Sequence, residues 1–175
     1  MTEKALIVGA VAYDPKVIEI WDLIRDYYNA NHLPIDYVLF SNYEAQVEAL
    51  LNGFIDIGWN TNVAYVRLQH ALDGKAKVLG MRDTDIDYKT KFIARADQPI
   101  EALADLKGKR VALGSADSGQ AAILPYHFLK EAGLDPERDV TLIRFNLDVG
   151  KHGDTGTSEY EVLRALKENE ADVGA

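Results

Sequence analysis

The sequence predicts an α/β protein of two lobes with mostly parallel sheets and a cleft between them. Three observations carry this. From Leu6 to Gly80, short apolar runs rich in β-branched residues alternate with helical patterns, which is the signature of parallel strands joined by crossover helices. A second alternation of the same kind starts at Arg110. Between them, Asp97-Gln98-Pro99 breaks an extended stretch and marks a seam near residues 85–100. The expected lobes are residues 1–90 and 91–175, the first incomplete without a returning C-terminal segment.

Each element follows from its pattern. Leu6 to Val11 reads as a buried strand. Asp14-Pro15 then opens a helix on which Val17, Ile20, Trp21, Ile24 and Tyr28 share one face. Ile35 to Phe40 is a second strand. Ser41 or Asn42 caps a helix that Asn52-Gly53 stops. Phe54 to Trp59 is a third strand, and Asn60-Thr61 caps a helix reaching about Ala71. Lys77 to Gly80 reads as a fourth strand and Tyr88 to Arg95 as extended, and Ile100 to Lys109 as a short helix and turn. In the second lobe, Arg110 to Leu113 is a strand, Gly119 to Ala132 a helix, and Val140 to Phe145 a strand. Ser158 to Asn169 is a helix, and Ala171 to Ala175 begins one more strand. That final stretch reads as a strand entering a core, so the chain is expected to be the N-terminal portion of a longer protein.

Composition narrows the function. The net charge of −9, with basic residues scattered, argues against nucleic-acid binding. With no cysteine, the chain has no disulfide framework, no thiolate nucleophile and no sulfur-based zinc site. His32, His70 and His127 form no i, i+4 metal pair, and the acidic run Arg82 to Asp87 lacks the glycine and distal glutamate of a calcium loop. No metal and no cofactor are expected. No stretch approaches the roughly 20 apolar residues of a membrane span. The apolar run at Ala5 to Val8 is too short to read as a signal peptide, so none is expected in this sequence.

Ligands of open α/β sheets bind beyond the carboxyl ends of the strands. That rule selects four loops: Ala12-Tyr13-Asp14, Ser41-Asn42-Tyr43, Asn60-Thr61-Asn62 and Ser115 to Ala121. Tyr13 and Tyr43 offer a phenol O–H to a ligand oxygen, or pack over a helix start. Asn60 and Thr61 are helix caps that also present side chains and amides. The turn Leu113 to Ala121 is the most informative. Its hydroxyls (Ser115, Ser118) and Gly119 lead into a helix, where free N–H groups and the helix dipole favour an anion. The same residues are also ordinary helix caps. Trp59 is expected in the core.

Three stretches resemble the phosphate/phosphite/phosphonate family of ABC-transporter substrate-binding proteins, which have a type II periplasmic-binding-protein fold. They are Gly9 to Pro15, Ser41 to Trp59 and Leu103 to Ser115. The second is similar to the family pattern Y-x-x-x-(V/I)-x-A-L-x-x-G-x-(I/V)-D-(I/V). The third holds Asp105-Leu106-Lys107-Gly108-Lys109 before a serine-bearing turn. A weaker echo runs from Glu161 to Leu166 and from Glu170 to Ala175. The resemblance implies a non-enzymatic binding protein that captures a small oxyanion (phosphonate, phosphite or phosphate) by hinge closure and passes it to an ABC permease. It implies a periplasmic or extracytoplasmic location, with the cytoplasm as the alternative because no signal peptide is read in this sequence. It also implies that Ser115, Ser118, Gly119, Gln120 and Ala121 hold the anion, and that His152, ahead of the last helix, contacts it. The alternatives are a cytosolic enzyme on the same fold, of the menaquinone or thiamine-precursor type, and a ligand-sensing domain.

Overall fold

Leu6–Val11 forms β1, the centre of a small parallel sheet, because both of its faces are buried. In this computed structural model, which describes residues 4–175, β1 is followed by α1 (Val17–Ala30), β2 (Ile35–Phe40), α2 (Tyr43–Leu51), β3 (Ile57–Gly58) and α3 (Asn62–Ala71). The strand order is β2-β1-β3, and all pairings are parallel. Side chains alternate across a strand. Val8 and Ala10 therefore pack with Val17 and Trp21 of α1, whereas Val11 packs with Tyr43, Val47, Ala64 and Leu68 of α2 and α3. One helix covers one face and two cover the other.

A second compact unit repeats this plan. The chain divides into Met1–Lys77 and Val78–Ala175, so residues 78–90 cluster with the second unit and not with the first. This unit holds β4 (Ile93–Ala94), β5 (Arg110–Leu113), α4 (Leu124–Glu131), β6 (Thr141–Arg144), α5 (Thr157–Lys167) and β7 (Val173–Gly174). Its order is β4-β7-β5-β6, with β5 parallel to both neighbours and β4 antiparallel at the edge. Val111 and Leu113 pack with Leu129 on one face, and Ala112 packs with Val162, Ala165 and Leu166 on the other. In both units the first parallel strand lies between the next two, so β1 and β5 are equivalent.

Several elements depart from expectation. Lys77 to Gly80 forms no strand; Val78 and Leu79 are exposed and pair with nothing that would hold them extended. The third strand shortens to two residues because Gly53 turns with φ 71 and leaves Phe54 exposed. The Tyr88 to Arg95 stretch pairs only at Ile93–Ala94. The Ile100 to Lys109 helix shrinks to a 3-10 turn over Leu103–Leu106. Ile20 and Tyr28 are exposed on α1, where only Val17 and Trp21 are buried. Trp59 is 46% exposed, edge-on to Trp21 at 5.9 Å between ring centroids.

One ion pair ties the central strand to its late partner. Arg110 donates to Asp172 from its backbone N–H (2.8 Å) and from its guanidinium (2.7 Å). Asp172 is thereby held down to about 2. Its folded value is below the unfolded one of about 4, so its stabilising effect is complete above that value and fades as pH falls through about 2. Asp172→Asn is expected to lower stability by about 1 kcal/mol at neutral pH, a figure kept small because the guanidinium is partly exposed to screening water. In urea melts from pH 7 to pH 2, the gap between wild type and variant should close at the acid end. A constant gap would refute the assignment.

Candidate functional site

Both sheets change winding direction at their central strand. In the first unit the chain steps from β1 to β2 on one side and returns to β3 on the other. In the second it steps from β5 to β6 and returns to β7. Open α/β sheets bind ligands at such switch points, beyond the strand carboxyl ends. The loop after β5 is the Ser/Gly turn, and the loops after β1 and β3 hold Tyr13 and Asn60-Thr61.

The turn is closed from within. The Ser118 N–H donates to the Ser115 carbonyl (2.8 Å), and the Gly114 N–H donates to the Ala121 carbonyl (2.9 Å). The Ser118 hydroxyl accepts from the Ala121 N–H at 3.2 Å, as a helix cap. The helix expected from Gly119 begins as a π-type turn over Gly119–Ile123, since the Ile123 N–H reaches five residues back to the Ser118 carbonyl (3.0 Å). Gly119 and Gln120, first in this segment, present amides that helix geometry leaves without an intrahelical acceptor. Thr90 donates its hydroxyl to the Gln120 carbonyl.

A loop between β6 and α5 clasps the turn from outside. Asn146 accepts from the Ala116 N–H (2.9 Å). Asp117 accepts from the Ser115 hydroxyl and from the Gly150 N–H. Burial pushes the Asp117 carboxyl up, but these donors outweigh it and hold the group below the usual carboxylate range, with His152 adding to them. His152 is only 2% exposed and has φ 52, an unusual left-handed backbone for a non-glycine residue. Gly153 (φ 88) sits so close to Ser118 that a methyl group there would lie 2.6 Å from its hydroxyl oxygen. Ser158 fixes the loop's base, donating to the Leu147 carbonyl (3.0 Å) and accepting from the Leu147 N–H (3.1 Å).

The structure thus gathers Ser115, Ser118, Gly119, Gln120 and Ala121 in one turn and brings the loop of His152 against it. In the first unit, Tyr13 is half-buried on the α1 side of the sheet. Thr61 caps α3, accepting from the Ala64 N–H at 3.3 Å. Asn60 accepts from Gln46 at 2.7 Å. Tyr43 is 3% exposed and packs in the core. Gln46, Asn146, Gly150 and Glu159 escape sequence reasoning. Gln46 carries a signal: it is a polar residue on the apolar stripe of Tyr43, Val47 and Leu50, and it is fully buried. Among the described residues, no group of three or more His, Asp or Glu could hold a metal ion, and no helix is long and apolar enough to cross a membrane.

Residues 11–175 match the family model of the periplasmic substrate-binding proteins of phosphonate ABC transporters. A probable phosphite-binding ABC-transporter protein, PhnD1 of Prochlorococcus marinus (strain MIT 9301), is 23% identical over 107 residues, 58% of this chain and 36% of that protein. The crystal structure of PhnD1 in complex with methylphosphonate superposes with a TM-score of 0.63 at 21% identity, covering 98% of this chain and 62% of that one. XAC2383 from Xanthomonas citri, bound to ATP, superposes with a TM-score of 0.67 at 22% identity, covering 97% and 62%. The chain therefore spans 36% of its curated relative's length and 62% of each of these solved structures. The two sheets match type II periplasmic-binding-protein structures, and the chain belongs to the family of periplasmic substrate-binding proteins of phosphonate ABC transporters.

Proposed function

We propose that the chain carries the ligand-holding loops of a substrate-binding protein for a small phosphorus oxyanion, captured by hinge closure of its two units and passed to an ABC permease from the periplasm. The observation that carries this reading is the turn after β5. It lies at a switch point, holds two buried serines and the leading amides of a helical segment, and is clasped by a second loop. Ser115, Ser118, Gly119, Gln120, Ala121 and His152 supply the second unit's contacts; Tyr13, Asn60 and Thr61 supply the first unit's, and Tyr43, whose ring is in the core, supports them from beneath. Apart from His152, these are uncharged polar groups and backbone amides. They recognise an anion by the number of hydrogen bonds it accepts, so a ligand with the wrong number of protons leaves a buried group unpaired. None of the four selected loops contains a lysine or arginine, and the loop of His152 adds one, Lys151.

The test is a thermal-shift screen against phosphate, phosphite, methylphosphonate, aminoethylphosphonate, sulfate and taurine, followed by calorimetry. A ligand of the folded state raises the melting temperature by mass action. One phosphorus oxyanion is expected to do so selectively. Ser118→Ala is expected to weaken its binding about tenfold to a hundredfold, and also to lower stability by about 1 kcal/mol through the lost cap. A cooperative melt that none of the six ligands shifts would overturn the reading.

A further inference from the structure

We propose that Glu159 is a positioning residue of the turn: its buried carboxyl sets the direction in which the Ser118 hydroxyl donates, and so selects the protonation state of the oxyanion that binds. This rests on the preceding assignment of the turn as the oxyanion site.

Glu159 is in the first turn of α5. Both of its carboxyl oxygens are shielded from solvent, and neither has a hydrogen-bond partner of good geometry. The slot that takes the carboxyl exists because two neighbours are glycines. A methyl group at Gly153 would lie 2.9 Å from Glu159 Oε1 as well as 2.6 Å from Ser118 Oγ. A methyl group at Gly114, where β5 ends, would lie 3.4 Å from the Glu159 carboxyl carbon and 2.7 Å from the Ala121 methyl. The carboxyl is thus enclosed beside the serine that caps the turn.

Counting the serine's bonds gives the mechanism. Its hydroxyl has one proton and two lone pairs. The Ala121 N–H occupies one lone pair. When Glu159 is ionised it takes the serine's proton as a hydrogen bond, and the remaining lone pair faces the ligand, which must then bring a P–OH. When Glu159 carries a proton it donates to that lone pair, and the serine's proton turns to a bare ligand oxygen. Burial pushes the Glu159 carboxyl above the usual carboxylate range; its own backbone N–H and the Ser118 hydroxyl oppose this, and Asp117 and Asp154 reinforce it. Asp148, Lys151 and His152 complete the charged or titratable groups of the clasping loop.

The experiment is calorimetry of methylphosphonate, and of sulfate as an anion that keeps its charge, from pH 5 to pH 9. It compares the wild-type chain with Glu159→Gln, whose amide donates as the protonated acid does. In wild type, the affinity for sulfate should fall about tenfold as Glu159 ionises. Glu159→Gln should abolish that step and hold the preference for the bare dianion at every pH. An unchanged pH profile in the variant, with binding intact, overturns the inference and leaves the oxyanion reading standing. If wild type binds neither anion the oxyanion reading fails, and a ligand-free measurement decides. Carbon NMR titration of the Glu159 carboxyl should move upward in Ser118→Ala, which removes a donor; an unmoved titration overturns the coupling of the two side chains.

Discussion

Gly153→Ala is expected to lower the stability of the chain by about 2–3 kcal/mol and to weaken oxyanion binding by at least about tenfold. Two independent strains add. The backbone there has φ 88, which an L-residue with a side chain adopts only at a cost. The added methyl would also meet Ser118 Oγ at 2.6 Å and Ser118 Cβ at 3.0 Å, on a fully buried serine, and Glu159 Oε1 at 2.9 Å. Relief requires the clasping loop to lift, which would break the Gly150–Asp117 and Asn146–Ala116 bonds that hold the turn. Urea melts read the first effect and calorimetry the second. Wild-type behaviour in both would show that the loop does not press on the turn.

Leu113→Ala should have a larger effect on stability, about 3 kcal/mol within a range of roughly 2–5. Leu113 is fully buried as the last residue of β5, packed among Val111, Leu129 and Val173, and it leads directly into the turn. Truncation loses its burial and leaves a cavity that the flanking parallel strands cannot close. Leu163→Ala, on the exposed face of α5, is the control and should stay within about 0.5 kcal/mol of wild type. Equal losses at the two positions would mean that the α5 face is covered in solution.

What the sequence made legible is what is local. The run Leu6–Val11 emerges with the predicted bounds, because its pattern needs no partner to be recognised. The Ser115 to Ala121 turn was readable for the same reason: strand, hydroxyls and helix start are consecutive. Lys77 to Gly80 looked like a strand by composition, but strands require a neighbour and it has none. The π-type opening of the helix could not be foreseen, since it depends on where the Ser118 carbonyl points. The clasp was hidden by distance along the chain: Asn146 and Ala116 are 30 positions apart, and Gly150 and Asp117 are 33. Trp59 was misplaced because an aromatic beside a short strand can rest on another ring at the surface as readily as in a core. Tyr43 combined both problems: it follows a strand as a ligand contact would, yet its ring fills the α2–α3 side of the first core.

The strand order of the second unit also constrains when that unit can fold during synthesis. β7 sits between β4 and β5, so β4, made early, has no neighbour until Val173 and Gly174 exist. Arg110 likewise waits 62 positions for Asp172. A ribosome that has finished β6 has produced a β5–β6 pair whose β5 edge is still bare and a β4 segment with nothing to join. Closure across so long a loop is slow, and an unpaired edge invites association with other chains. The nascent second unit therefore keeps the β5 edge open until β7 is delivered, whereas all three strands of the first unit's sheet are made by Gly58 and can pair while the rest is still being synthesised.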